Sequence, residues 1–129
     1  FMKKILIVDD EPLVIKAISD KLNRENYTID SALDGEEALL KVGREKPDLI
    51  LLDIVMPKLD GISVLKKLKG QEETKDIPVI ILTNLYDDKK IEELLKVNNT
   101  EYLIKVEHSL NDIVKRVNEK LNYNEPVQL

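Results

Sequence analysis

Cysteine and tryptophan are absent, phenylalanine and histidine occur once each, and glycine numbers only four in 129 residues. Without cysteine there is no disulfide, no thiolate nucleophile and no sulfur metal site, and a reducing compartment is compatible. One imidazole, His108, cannot build a histidine metal cluster. No apolar run approaches the roughly 20 residues of a membrane span. The N-terminus also lacks a signal-peptide profile, so a cytoplasmic location with no membrane partner is the expectation. No large excess of either charge exists: Lys and Arg total 20 against 25 Asp and Glu, a net charge of −5. That balance argues against nucleic-acid backbone as a direct partner.

What is present suits a single globular domain: 43% hydrophobic and 35% charged residues, in a chain long enough for a real core. Phe1 precedes Met2, and the native chain is expected to start at Met2. Residues 2–122 read as the domain and 123–129 as a C-terminal tail without a second module.

The organising stretch is Leu49-Ile50-Leu51-Leu52-Asp53, followed by a loop bounded by Pro57 and Gly61. A short apolar run without polar alternation fits a strand covered on both faces, central in a parallel sheet. Similar runs are Lys4–Val8, before Asp9-Asp10-Glu11, and Val79–Leu82, before Thr83. Weaker strands are expected over 27–32 and 101–104, the latter ending at Lys105. Helical spacing marks the segments between: Leu13, Val14, Ala17, Ile18 and Leu22 after Pro12; Ala38, Leu39 and Val42 after Asp34-Gly35; Ile62, Val64, Leu65 and Leu68 up to Gly70. Residues 87–97 and 111–121 supply the last two helices. Five strands alternating with five helices predict an α/β, doubly wound, five-stranded parallel sheet. Strand order 2-1-3-4-5, as in flavodoxin-like folds, would make the first and third strands neighbours at the switch point.

Parallel strands end on one rim. Asp9, Asp10, Asp53, Thr83 and Lys105 would therefore share it. Three carboxylates so close repel one another unless positive charge intervenes, and two remedies are at hand: a hard divalent cation and Lys105. An all-oxygen donor set favours Mg²⁺ over zinc or copper. An aspartate beside a metal, a lysine and a hydroxyl is equipped to accept a phosphoryl group. Each residue alone has an ordinary reading: Asp9-Asp10-Glu11 as a helix N-terminal signal, Thr83 as a strand-end hydroxyl, Lys105 as a solvated charge. Only their joint placement favours the site.

The motifs Ile7-Val8-Asp9-Asp10-Glu11-Pro12, Asp34-Gly35-Glu36-Glu37-Ala38, Pro47–Asp53, Met56-Pro57 with Asp60-Gly61, and Pro78-Val79-Ile80 with Thr83 resemble, in order, the receiver domain of two-component response regulators. The likeness runs from Lys3 to Leu121. The resemblance implies that Asp53 takes a phosphoryl group from a phosphohistidine of a sensor histidine kinase or phosphotransfer protein. It implies Mg²⁺ bound by Asp10, Asp53 and the Val55 carbonyl, with Asp9 acting through water. Thr83 and Lys105 would hold the phosphoryl oxygens. Tyr102 matches the switch aromatic that turns inward, reshaping the surface of helix 87–97, the last strand and the last helix for a downstream protein. Tyr102 also reads as a plain packed aromatic. Such a domain is a phosphoacceptor and not a conventional enzyme, limited to self-catalysed phosphotransfer and autodephosphorylation. Dimerisation is left open.

Two departures from the family pattern stand out. Val106 follows Lys105 where a proline in a cis peptide is usual, and a cis bond there would cost about 3–4 kcal/mol, so a trans link is expected. Asn84 follows Thr83 where a small residue is usual. Three rivals are weighed. A dehalogenase-type phosphohydrolase needs a second aspartate where Val55 stands. A flavodoxin-like nucleotide binder needs an amide-rich loop where Asp9-Asp10-Glu11 would repel phosphate. A phosphorylation-independent interaction module of the same fold is the rival that Val106 and Asn84 favour.

Overall fold

Five short runs rich in β-branched and leucine side chains pair side by side, and the helical segments fold back over them. A computed structural model describes residues 2–56, 58–84, 93, 96, 97, 99–104 and 109–122. The elements are β1 (Lys4–Val8), α1 (Pro12–Asn23), β2 (Thr28–Ala32), α2 (Gly35–Arg44), β3 (Leu49–Leu52), α3 (Gly61–Lys69), β4 (Val79–Thr83), β5 (Thr100–Ile104) and α4 (Leu110–Asn122). Every pairing is parallel and the order is β2-β1-β3-β4-β5, the order expected of a flavodoxin-like fold. Four helices lie among the described residues. The helix expected over 87–97 falls largely outside them. No described helix is long and apolar enough to cross a membrane.

β3 is the centre because all four of its residues are buried on both faces. Alternation sends Leu49 and Leu51 to one side and Ile50 and Leu52 to the other. On the first side they meet Ile15, Ile18 and Leu22 of α1 and Ile113, Val114 and Val117 of α4. On the second they meet Ala38 and Val42 of α2 and Val64, Leu65 and Leu68 of α3. A fully buried leucine or isoleucine contributes about 1.5–3 kcal/mol by leaving water, so the sheet is anchored at β1 and β3, where the acids emerge.

The α1 stripe differs from its expected members. Ile15, Ile18 and Leu22 form the buried face, with Val14 at its margin, while Ala17 is exposed and Leu13 is 82% exposed. Leu13 stands two residues, about 200°, round the helix from Ile15, so both cannot face the sheet. Elsewhere the helix starts follow local chemistry. Pro12 opens α1, and Asp34 and Asp60 cap α2 and α3 by accepting from the amides of Glu37 and Ser63 at 2.8 and 2.9 Å.

Candidate functional site

Val8 of β1 and Leu52 of β3 are register partners, so the next residues, Asp9 and Asp53, leave adjacent strands at the same level. The ladder runs one step past both strands: the Asp9 amide donates to the Ala32 carbonyl at 3.1 Å and the Asp53 amide to the Val8 carbonyl at 2.9 Å. Both acids are therefore fixed by backbone bonds before their side chains do anything. Both are also buried, Asp9 at 2% and Asp53 at 6% exposure, while Asp10 is exposed. One carboxylate oxygen from each of Asp9, Asp10 and Asp53 lies within 4.8 Å of the others. Asp9 Oδ1 also accepts the Glu11 amide at 3.0 Å, which turns the chain towards α1.

Burying two carboxylates beside a third is costly without compensating charge. The donor set is all oxygen, and hard cations of the Mg²⁺ type suit such a set. The residues present fit that ion: three acids converge on one point and one of them remains open to solvent.

Thr83 ends β4 at the same rim, 1% exposed, with Ile104 of β5 as its register partner. Tyr102, two residues earlier on β5, is half-buried against the cluster that α2 and α3 cover. Val55 follows Asp53 by two and its residue is 64% exposed, so an apolar side chain stands in solvent. Lys105, the Lys105–Val106 link and His108 lie outside the described residues. The rim thus brings together Asp9, Asp10 and Asp53, with Thr83 on the adjoining strand.

Asp34-Gly35, which precedes the α2 stripe in the sequence, makes two contacts that its sequence does not announce. Lys58 Nζ reaches Asp34 Oδ2 at 3.5 Å, binding the loop after β3 to the start of α2. The Glu37 amide, with Lys58 in support, holds the Asp34 carboxyl below its usual range, although burial pulls the other way. Beneath that pair, a side chain on Gly35 would collide with the Leu59 carbonyl. Gly61 is equally constrained, since a Cβ there would strike the Asp53 carbonyl and lie 2.7 Å from Ile54 Cα. The signal was a glycine straight after each capping aspartate, at Gly35 and Gly61.

A family model described as the response regulator receiver domain matches residues 5–118. This chain belongs to that family. As a receiver it is 49% identical, over 63% of its length, to the alkaline phosphatase synthesis transcriptional regulatory protein PhoP of Bacillus subtilis. It spans about a third (33%) of that longer protein. The Francisella response regulator 1452 receiver domain superposes with a TM-score of 0.84 at 33% identity, covering 95% of this receiver and 99% of that chain. The BeF3-activated N-terminal receiver domain of Klebsiella pneumoniae RstA does so with a TM-score of 0.82 at 30% identity, covering 92% and 97%.

Proposed function

We propose that this receiver accepts a phosphoryl group on the Asp53 carboxylate from a phosphohistidine of a sensor histidine kinase or phosphotransfer protein, in a Mg²⁺-dependent reaction. The observation that carries the proposal is the meeting of the Asp9, Asp10 and Asp53 carboxylates at the rim of β1 and β3. Asp10, Asp53 and the Val55 carbonyl would hold the ion, with Asp9 acting through water. Bound there, Mg²⁺ would offset the charge of the acids and of the incoming phosphoryl oxygens.

Asp53 does the chemistry. One carboxylate oxygen attacks phosphorus as the P–N bond breaks, and the electron pair of that bond returns to the imidazole. The backbone bond from Asp53 to Val8 keeps its carboxylate in place during the exchange. The Thr83 hydroxyl donates to one phosphoryl oxygen, and Lys105 supplies a positive charge to another. Drawing Thr83 towards the new dianion frees space beside it, into which Tyr102 moves. The surface around 87–97, β5 and α4 then changes for a downstream protein. No separate substrate is turned over, because the apolar Val55 occupies the place where a phosphohydrolase of this type needs a general acid. The work is placed in the cytoplasm, where sensor kinases present their phosphohistidines.

Support from relatives is specific to them: the RstA receiver is described as BeF3-activated, and the same ligand is a probe for this chain. Incubation with acetyl phosphate should give a phosphoryl mass gain in Mg²⁺, none in EDTA, and none in Asp53→Asn. Failure of the parent to gain mass in Mg²⁺, together with no BeF3 binding, overturns the proposal in favour of a phosphorylation-independent interaction module.

A further inference from the structure

The loop between β3 and α3 must present the Val55 backbone at the rim and return to Gly61 within a few residues. Its closing end is fixed: the Gly61 amide donates to the Ile54 carbonyl at 2.9 Å. Its middle holds a residue in an unfavourable conformation, since Lys58 has φ 63°, in the left-handed region that favours glycine. Something must hold Lys58 there. Its Nζ lies 3.5 Å from Asp34 Oδ2. The other oxygen of the same carboxylate, Oδ1, accepts the Glu37 amide at 2.8 Å and caps α2. The Asp34 side chain is only 14% exposed, so the anchor is better fixed than the 61% exposed lysine it holds. Next to it, the Leu59 carbonyl packs so tightly on Gly35 that no Cβ fits between them.

We propose that Lys58 and Asp34 act together as positioning residues, pinning the loop that carries Val55 to the N-terminus of α2 and so setting the cation affinity of the acidic rim. This inference rests on the Mg²⁺-dependent phosphoacceptor reading. It makes a prediction opposite in sign to plain electrostatics. A lysine near a cation site repels the cation, so on charge alone its removal would tighten binding. If its role is to hold the loop, removal loosens binding.

The test is calorimetric titration of the full chain with MgCl2, for the parent and for Lys58→Met, Asp34→Asn and the double variant. Asparagine caps a helix about as well as aspartate, so Asp34→Asn removes the ion pair and leaves α2 capped. Amide exchange of Gly61 in the metal-free proteins reports loop closure independently of the ion. Lys58→Met is expected to weaken Mg²⁺ binding by about two- to fivefold, the range open to an exposed ion pair. The double variant should bind no more weakly than the weaker single variant, because the second substitution breaks a contact already lost. The Gly61 amide should exchange faster in Lys58→Met. A Lys58→Met protein that binds Mg²⁺ as tightly as the parent or more tightly, or whose Gly61 amide exchanges at the parent rate, overturns the inference alone. A parent that does not bind Mg²⁺ overturns the phosphoacceptor reading, and this inference with it.

Discussion

Gly61 is a residue where a single hydrogen decides. Its α-carbon faces the Asp53 carbonyl so closely that an added methyl must displace the backbone of the acid beside it. Gly61→Ala is expected to cost about 1–3 kcal/mol, the range for forcing an extra methyl into a filled space, and urea unfolding would measure it. The same displacement moves Asp53, so the variant should also lose Mg²⁺ affinity. A conformational account predicts otherwise. Gly61 has no positive φ, so alanine there is not strained and, on backbone entropy alone, would stabilise.

Among the elements, α2 shows best how charge and backbone cooperate. Lys41 Nζ sits 3.1 Å from Asp30 Oδ1, 3.3 Å from Glu37 Oε1 and 2.5 Å from the Ser31 carbonyl, tying the helix to edge strand β2. Burial opposes both charges, yet the pairing wins: the Asp30 carboxyl is held below its ordinary 3.8 and the Lys41 amine above its ordinary 10.5. The contribution of Asp30 is complete above 3.8 and is lost as pH falls through its lower folded value. That of Lys41 is complete below 10.5 and is lost as pH rises through its higher folded value. Lys41→Met should therefore lower stability by about 0.5–1 kcal/mol at neutral pH, modest because both groups are partly exposed. The deficit should shrink in acid below 3.8, as urea midpoints measured at both pH values would show.

How far the elements could be read from the sequence depended on burial. β3 was legible because Leu49, Ile50, Leu51 and Leu52 are covered on both faces, leaving no room for polar residues. α1 was legible as a helix but not in its facing: Leu13 and Ala17 stand at helical spacing from each other yet outside the buried face, and only docking on the sheet selects Ile15. At the rim, Asp9, Asp10 and Asp53 could be placed because parallel strands bring their ends to one edge. Lys58 could not, since its bond to Asp34 depends on a left-handed backbone angle and on two loops meeting.

For the whole molecule, Mg²⁺ binding as proposed would couple the site to the fold through mass action. An ion that binds only the folded chain at a hundredfold excess over its Kd adds about 2.7 kcal/mol, which for a domain of this size raises Tm by roughly 10 °C. The proposed function thus predicts a thermal midpoint that climbs with MgCl2 and falls back with EDTA. Asp53→Asn should flatten that response, which scanning calorimetry would record.

The width of the acidic cleft is inherited from the spacing between neighbouring strands. Val8 and Leu52 are locked as register partners, and the acids that follow them leave the sheet one hydrogen bond later. Two walls of the cleft are therefore held by the strand pairing itself, and only a change that pushes on the backbone, as a methyl on Gly61 would, reaches that gap. Asp10, Val55 and Asn84 are exposed, so side-chain changes at these positions alter the surface around the acids while the register that spaces Asp9 from Asp53 stays constant.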